Sequence, residues 1–339
     1  MNKHANIPVF IPHLGCPNQC VFCNQRTISG VSEFDISSLN GIIDSALMTI
    51  SPDTETEIAF FGGSFTGIER SLMISLLEIA NTYISAGKAS AIRCSTRPDY
   101  IDSEIIEILK KYNVSTVELG LQSADDSVLK AVKRGHTFAD EVHACKMITD
   151  AGINLVGQMM IGLPGSTPKS ESETADFIIA SGAKAARIYP TVVFRDTELC
   201  EMAQSGIYKP LEIEDAITRT ANVYTKFLDA GVSVIRVGLC SSENLSSSDT
   251  YFSGPNHPAL GELVENEVYY KLMCKEFLRF KTNALIGKTP IVKVPGGELS
   301  KVIGQKKKNK IRLVDKFLLS DIKFHTDSKL LRYQVDVNI

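Results

Sequence analysis

Residues 6–24 read NIPVFIPHLGCPNQCVFCN, a short apolar run followed by a segment with three cysteines. Cys16, Cys20 and Cys23 have the spacing Cys-x3-Cys-x2-Cys. A proline and an asparagine between the first two disfavour a regular helix there. The stretch therefore predicts a β-strand whose C-terminal end opens into a cysteine-bearing loop.

Three clustered thiols allow two kinds of metal site. A closed structural zinc site needs four thiolate or imidazole ligands, normally as two pairs, and the sequence has no second Cys-x2-Cys pair. Three thiolates can instead hold three irons of a 4Fe–4S cluster and leave the fourth iron open to an exogenous ligand. The sequence favours the cluster, with Cys16, Cys20 and Cys23 as its ligands, over zinc. The isolated cysteines are expected in the core: Cys94, Cys145, Cys200, Cys240 and Cys274.

Outward from this segment, short apolar runs alternate with stretches of helical period. The runs are almost continuously hydrophobic, which is typical of parallel strands covered on both faces. Repeated strand–helix units predict an α/β fold, a partial (β/α)6 barrel of the TIM type with its active site at the C-terminal ends of the strands. The predicted strands are residues 7–12, 57–61, 91–95, 114–121, 153–162 and 185–190.

The pattern changes after about residue 236. A polar loop over residues 241–249 and a long helix through 259–278 precede four short runs of alternating polarity, IVKV, KIRLV, FLLSDIKF and LRYQVDV. Such runs predict a small antiparallel lobe. We therefore expect a barrel domain over residues 1–236 and, over residues 237–339, a C-terminal helix-and-strand lobe that covers the barrel mouth.

The overall charge argues against a general affinity for polyanions. The 339 residues are 44% hydrophobic and carry a formal net charge of −3, so the chain presents no broad positive field. Its one dense basic run, Lys306, Lys307, Lys308 and Lys310, is more typical of a solvated surface than of a phosphate contact. No apolar stretch approaches the roughly 18 residues that span a bilayer, and the N-terminus lacks a signal-peptide pattern. We expect a cytoplasmic protein without membrane association.

The cysteine loop, with Phe22 directly before Cys23, resembles the signature of the radical S-adenosylmethionine (SAM) superfamily. More narrowly, five blocks in the same order are similar to the radical domain of the catalytic subunit of Elongator, whose acetyltransferase domain and lysine-rich extension find no match here. The resemblance covers most of the chain. The blocks are ELGLQS (118–123), KRGHT (133–137), MIGLPG (160–165), RIYPT (187–191) and GPNHPALGELVE (254–265).

The resemblance implies a 4Fe–4S cluster and SAM as cofactors. In this superfamily the methionyl amine and carboxylate chelate the open iron. One electron, from a reductant such as flavodoxin or ferredoxin, then splits the sulfonium and gives a 5′-deoxyadenosyl radical that abstracts a substrate hydrogen. The implied cofactor-binding residues are Phe22 beside the cluster, Gly62, Gly63 and Ser64 for the amine, Ser95, Gln122 and Gln158 for the ribose, and Arg134 for the carboxylate.

Two ribose positions depart from the family pattern. Related families often have carboxylates where this chain has Ser95 and Gln158, although a hydroxyl and an amide can still hydrogen-bond to ribose. The IGLPG turn, residues 161–165, would bring backbone amides toward adenine. The sequence assigns no catalytic residue; four polar residues of the family-like blocks either contact substrate, move a proton or are structural: His136, Arg187, Tyr189 and His257.

The net negative charge of the chain favours a small substrate over tRNA, because tRNA is a polyanion. Because the families that the chain resembles act on RNA bases, we expect a free modified nucleobase. The specific hypothesis is queuine, cut back to a simpler deazaguanine by a carbon–nitrogen lyase reaction in base salvage, although fold and cofactor do not fix a substrate. A radical enzyme that modifies a tRNA base is one alternative. A non-catalytic iron–sulfur or zinc protein of the same fold is another.

Overall fold

The computed structural model describes residues 4–11, 16, 20–24, 34–239 and 249–339. They fall into two compact units, one of Met1–Leu211 with Lys226–Asn256 and one of Glu212–Thr225 with His257–Ile339. The predicted polar loop lies, apart from Asp249, outside the described residues. The boundary near residue 236 and the placement of a lobe over the barrel mouth stay predictions.

The first unit is built on a parallel sheet. Seven strands lie in chain order with every neighbouring pair parallel, while β7 and β9 form a separate antiparallel pair. This is the predicted α/β architecture of a partial TIM-type barrel. The strands are β1 (His4–Phe10), β2 (Glu55–Phe61), β3 (Ala91–Thr96), β4 (Val114–Gln122), β5 (Asn154–Ile161), β6 (Ala185–Pro190), β7 (Val193–Phe194), β8 (Ser233–Val237) and β9 (Tyr251–Ser253).

The barrel sheet has one strand more than the sequence predicts. β8, with the sequence SVIRV, pairs with β6 and has no fully buried residue. This half-exposed edge strand lacks the continuous apolar run that identifies the six predicted strands. A glycine in the left-handed region, Gly231 at φ +74°, ends the preceding helix and is the signal that could have found β8.

Helices connect the parallel strands, as the crossover geometry of a parallel sheet requires. In α2 the buried residues recur at helical spacing, among them Met73, Leu76, Ala80 and Tyr83, which places one apolar stripe on the sheet. The helices are α1 (Leu39–Leu47), α2 (Arg70–Ser85), α3 (Ser103–Lys111), α4 (Asp126–Ala131), α5 (Phe138–Asp150), α6 (Pro168–Ala180), α7 (Glu198–Gln204) and α8 (Ile213–Asp229).

Capping residues fix where the helices after β4 and β5 begin. α5 starts with a capping box in which the Thr137 side chain accepts from the amide of Asp140, and Asp140 accepts in return from the amide of Thr137. α6 starts with the equivalent box of Thr167 and Ser170, with Pro168 in the first turn. Such boxes satisfy amides that the first helical turn leaves unpaired. The segment between α4 and α5, which carries Arg134, and the loop after β5 therefore have defined ends.

The second unit has a mixed sheet rather than the antiparallel lobe that the sequence predicts. Its middle strand β10 (Ile291–Pro295) pairs in parallel with β11 (Lys323–Asp327) and antiparallel with β12 (Asp336–Asn338). The helices are α9 (Leu260–Phe277), α10 (Thr282–Leu285), α11 (Leu299–Ile303) and α12 (Lys308–Phe317). No helix among the described residues is long and apolar enough to cross a membrane.

The run KIRLV, predicted as a strand, lies inside α12. The buried residues of this helix are Asn309, Leu313 and Phe317, spaced four apart, so its buried face has helical spacing. Within a window of five residues this pattern resembles the alternation of a strand. Only a longer window of sequence distinguishes the helix from a strand. Leu313 and Phe317 pack in a core that also contains Tyr269 and Val292.

Candidate cofactor and cluster site

The three cysteines follow β1 and lie beside groups that the sequence assigns to the same site. The Cys16 thiol lies 3.4 Å from the Ser64 hydroxyl, in the loop after β2. The Cys23 amide donates to the Cys20 carbonyl at 2.9 Å, which closes a tight turn between the last two cysteines. Residues 12–15 and 17–19 of the predicted loop are outside the described residues. The described part thus joins the cysteines to the glycine loop.

Backbone hydrogen bonds attach the middle of the cysteine loop to two other segments. The Val21 amide donates to the Val132 carbonyl at 3.2 Å, and the Val21 carbonyl accepts from the Leu199 amide at 2.8 Å. Val21 is buried in an apolar cluster, and Phe22 packs against the same cluster. Phe22 therefore fixes the loop through apolar contacts.

The glycine loop after β2 approaches the end of β1 closely. Gly62 has a φ of +109°, and a Cβ atom there would lie 2.9 Å from the carbonyl oxygen of Ile11. Only glycine adopts this conformation in this space without strain. Gly63 follows it, and the Ser64 side chain is buried. The predicted amine-binding loop is therefore also a packing requirement of the barrel.

Arg134 extends from the segment after α4 toward Cys20. Its Nη1 lies 3.5 Å from the Cys20 Sγ, and its Nη2 donates to the Gly120 carbonyl at 2.6 Å. A Cβ atom on Gly120 would lie 2.7 Å from Nη2, so the guanidinium group occupies the space of an absent side chain. Among the residues described, the buried Nε has no hydrogen-bond partner.

Arg97, which the sequence analysis did not single out, lies beside Arg134. Its side chain is 2% exposed, and its Nε and Nη2 each donate to an oxygen of Asp99 at 2.9 Å. Nη2 also donates to the Arg134 carbonyl at 2.5 Å. Burial opposes its charge, but the hydrogen bonds and charge of Asp99, with the nearby sulfurs of Cys20 and Cys16, raise the pKa of Arg97. The buried Nη1 has no hydrogen-bond partner in the described part of the chain.

The three predicted ribose positions are only partly brought together. The Gln158 amide nitrogen donates to the Ser95 hydroxyl at 3.4 Å and to the Glu118 carboxylate at 2.9 Å. Gln122 instead ends β4 with a φ of +75°, where the register with β5 shifts after Gly120. Ser95 and Gln158 thus form one polar group, with Glu118 as a third member.

An ionic network lies across the inner strands of the barrel sheet. Glu118 is fully buried, and its carboxylate accepts from Arg93 at 3.0 Å and from Arg187 at 2.8 Å. Arg93 also pairs with Glu57 at 2.6 Å. Burial raises the pKa of the Tyr189 phenol next to Arg187, and Arg187 only partly opposes this effect. The interior of the partial barrel is therefore polar and charged.

His136 of the KRGHT block is fully enclosed rather than open to a ligand. Its Nε2 lies 3.0 Å from the Glu141 carboxylate, and both side chains are 0% exposed. Its Nδ1 lies 3.7 Å from the Asp99 carboxylate. The contacts with His136 and Arg97 hold the pKa of Asp99 well below its usual range, although burial by itself would raise that pKa. His136 is therefore a structural residue behind Asp99.

The Glu141 carboxyl should make the stability of the protein depend on pH. Burial raises its pKa from 4.5 to about 7, although His136 and Arg134 oppose that shift. The unfolded chain ionises this group first, so its stabilising contribution is complete below about pH 4.5 and is lost as the pH rises through 7. Between pH 4.5 and 8, the wild-type protein should lose roughly 1–3 kcal/mol of its free energy of unfolding through this group. We expect the Glu141→Gln variant not to show this loss.

Urea unfolding at a series of pH values measures this effect. Glu107→Gln is the matched control, because Glu107 is exposed and its ion pair among the described residues, with Lys110, has a distance of 3.6 Å. Parallel pH profiles for wild type and Glu141→Gln would show that Glu141 does not titrate as described.

Comparison with known proteins identifies the family. The profile of the Radical SAM superfamily matches residues 10–178, and that of the radical SAM C-terminal domain matches residues 183–270. The chain belongs to the radical SAM superfamily. The predicted 4Fe–4S cluster and SAM are the cofactors that this family uses.

Radical SAM relatives include the proteins that the five sequence blocks resemble. The chain is 35% identical over 130 residues to a tRNA uridine(34) acetyltransferase of Methanocaldococcus infernus, covering 38% of this chain and 24% of that protein. It is 30% identical over 142 residues to Elongator complex protein 3 of Bos taurus, covering 41% of this chain and 26% of that protein. Each match therefore spans about a quarter of the relative.

A solved radical SAM structure confirms the fold. Archaeal Elp3 of Methanocaldococcus infernus, with an N-terminal deletion of residues 1–46, has a TM-score of 0.63 at 24% sequence identity. The superposition covers 82% of this chain and 64% of that one.

The donor groups of the chain fit the radical SAM cofactors. Three thiols would supply negative charge to a cluster, and Arg134 and Arg97 place two buried cations beside the described cysteines. Ser64 adjoins Cys16, which suits a ligand that contacts both cluster and glycine loop. Over residues 4–11, 16, 20–24, 34–239 and 249–339, no three His, Cys, Asp or Glu side chains are already grouped to hold a metal ion. The cysteine ligand roles stay predictions.

In the IGLPG turn, which the resemblance predicts near the adenine of SAM, Gly162 is already hydrogen-bonded within the protein. The Gly162 amide donates to the buried Glu171 carboxylate at 2.7 Å, and the Gly162 carbonyl accepts from the Tyr208 hydroxyl at 2.7 Å. Both polar groups of Gly162 therefore have protein partners. Glu171, in the first turn of α6, is a further residue that the sequence analysis did not single out.

The remaining polar and thiol candidates have structural environments. His257 accepts from the Ala259 amide at 3.1 Å, just before α9. Burial raises the pKa of the Cys94 and Cys145 thiols to about 12, so both remain protonated. Cys200 and Cys274 are also buried, and the four confirm the core prediction. Cys240 lies outside the described residues.

Proposed function

We propose that this radical SAM enzyme abstracts hydrogen from a small modified nucleobase and acts as a lyase in the cytoplasm, where thiols are kept reduced. When bound, the cofactors supply one-electron cleavage of the sulfonium to methionine and a 5′-deoxyadenosyl radical. Cys16, Cys20 and Cys23 hold the cluster. The reductant is a low-potential donor such as flavodoxin or ferredoxin.

The chain's side chains orient SAM in this proposal. Arg134 binds the carboxylate, because a guanidinium group offers two parallel donors to two oxygens. Gly62, Gly63 and Ser64 receive the amine, and Phe22 holds the cysteine loop beside it.

Ser95 and Gln158 would hydrogen-bond to the ribose hydroxyls of SAM, together with Gln122 at the end of the strand between them. In this proposal the buried Ser64 and Arg134 help to keep water from the bound cofactor. Such exclusion protects a reactive radical from side reactions.

The polar interior of the barrel carries the proposal of a nucleobase substrate. Glu118 on β4 and Arg187 and Tyr189 on β6 make this interior polar and charged. The Arg187 guanidinium lies 5.5 Å from the centre of the Phe61 ring, and Phe10 lies beside Phe61 with ring centroids 6.3 Å apart. A planar heterocycle with several hydrogen-bonding edges matches aromatic surface next to fixed polar groups.

Queuine is the specific substrate that we propose, with cleavage of a carbon–nitrogen bond as the reaction. The test is anaerobic reconstitution with iron and sulfide, followed by SAM, dithionite and queuine. We expect queuine-dependent 5′-deoxyadenosine and a simpler deazaguanine, both measured by mass spectrometry, with guanine in place of queuine as the control. Queuine labelled with deuterium should transfer the label to 5′-deoxyadenosine. Cleavage of SAM that is unaffected by queuine would contradict the substrate but not the radical chemistry.

Modification of a tRNA base is the second candidate, because one relative is named a tRNA uridine(34) acetyltransferase. The basic run gives it limited support, since Lys308 pairs with Glu214 at 2.8 Å and Lys310 with Asp321 at 2.7 Å. Binding of tRNA that weakens steeply with salt, and is lost in a Lys306→Gln and Lys307→Gln double variant, would favour this candidate.

A non-catalytic metal protein is the third candidate. Reconstituted protein that is colourless, contains zinc and forms no 5′-deoxyadenosine after reduction would support it and overturn the enzyme proposal.

A further inference from the structure

Arg97 is a buried cation without a role in the proposed binding of SAM. Charged side chains are rarely enclosed unless their charge is used or balanced. One carboxylate, Asp99, pairs with it, and that side chain is 25% exposed. The Nη1 of Arg97 has no partner among the described residues. Asp99 therefore balances the charge of Arg97, while one donor of the buried guanidinium group is not used by the described residues.

The surroundings of Arg97 connect it to the cysteines. Its Nη2 holds the Arg134 carbonyl at 2.5 Å, and the Arg134 Nη1 lies 3.5 Å from the Cys20 Sγ. Arg97 also interacts electrostatically with the sulfurs of Cys20 and Cys16. Arg97 is therefore hydrogen-bonded to the residue whose guanidinium group contacts Cys20.

The groups behind Arg97 keep its guanidinium in place. Asp99 holds two of its nitrogens, and His136 lies 3.7 Å from Asp99 on the other side. Glu141 in turn fixes His136 at 3.0 Å. Because His136 and Glu141 are fully buried, the guanidinium cannot readily turn away from the cysteine loop.

We propose that Arg97 is a positioning residue that sets the reduction potential of the cluster held by Cys16, Cys20 and Cys23. This inference rests on the proposed cluster site. Adding one electron from a low-potential donor makes the sulfur-ligated centre one unit more negative, and no proton is transferred by Arg97. A nearby buried cation stabilises the added negative charge, since net charge and hydrogen bonds to sulfur tune such potentials.

The test compares the reduced fraction of reconstituted protein, read by electron paramagnetic resonance, in dithionite solutions of fixed potential. We expect Arg97→Gln to lower the ratio of reduced to oxidised cluster about tenfold, which is about 59 mV for a one-electron couple. Arg97→Lys keeps the charge and should stay within about threefold of wild type. Asp99→Asn removes a negative charge and should raise the ratio.

The opposite signs for Arg97→Gln and Asp99→Asn separate charge from damage to the fold, because misfolding would lower cluster content in both. Lys226→Gln is the matched control, because this variant removes a cation that pairs with Asp176 on α6 at 2.6 Å. Should Arg97→Gln fail to fold, Arg97→Lys and Asp99→Asn still decide the question.

Two outcomes would overturn the inference. In the first, wild type binds iron and cleaves SAM while the cluster-loaded variants have the same ratio of reduced to oxidised cluster as wild type. In that case Arg97 does not set the reduction potential, and the proposed function stands. If wild type binds no cluster, the cluster site fails and the role of Arg97 fails with it.

Discussion

Cys20→Ala is expected to abolish reductive cleavage of SAM, with 5′-deoxyadenosine formation falling at least about a hundredfold. The loop offers only three thiols within eight positions, so the loss of one leaves two ligands for a cluster that requires three. Cys20 is 6% exposed and lies beside Arg134, so the variant removes a proposed cluster ligand and a contact of the residue that we propose binds the SAM carboxylate. Iron content and 5′-deoxyadenosine, each per protein chain, measure the effect.

Cys145→Ala is the matched control. This thiol is buried in α5, and burial raises its pKa to about 12, so it remains a protonated core group. We expect the control to retain iron and SAM cleavage at a cost of about 1–2 kcal/mol in the free energy of unfolding. The circular dichroism of both variants should show an intact barrel. Retained cleavage in Cys20→Ala would refute its assignment as a ligand.

Glu118→Gln should destabilise the first unit more than any surface substitution. The fully buried carboxylate pairs with Arg93 and Arg187. Arg93 keeps a second partner in Glu57, whereas Arg187 loses its charge partner on β4. Removing one partner of a buried ion pair leaves an uncompensated charge, which typically costs about 3–5 kcal/mol.

Urea unfolding at constant pH measures the loss in Glu118→Gln. Glu107→Gln is again the control, because exposed ion pairs contribute only about 0–1 kcal/mol. Equal unfolding free energies for the two variants would show that the interior network does not stabilise the barrel.

The strands of the barrel were predictable because a run of consecutive apolar residues can be recognised within a short stretch of sequence. Six strands were predicted near their observed places, whereas β8 was missed because its residues are half-exposed. In the second unit, the five-residue run KIRLV fits a strand and a helix equally well. The spacing of Asn309, Leu313 and Phe317 separates them only over a whole helix.

The candidate site was predictable where a motif carries the chemistry. The cysteines, the glycine loop and Arg134 belong to short motifs, and the structure places Ser64 and Arg134 beside cysteines. Arg97 and Glu118 were missed because their partners come from distant segments and sequence spacing does not show them. A charged residue within an apolar strand, as in VELGL, and an arginine directly after β3 were the available signals.

The Arg134 guanidinium group can donate to the Gly120 carbonyl because residue 120 has no side chain. A single methyl group there would compete with the cation for the same volume. Inactivation could thus arise from a mutation that alters no ligand, no charge and no donor. In comparing distant members of the family, the size of the residue at this position can therefore indicate whether the cation still fits.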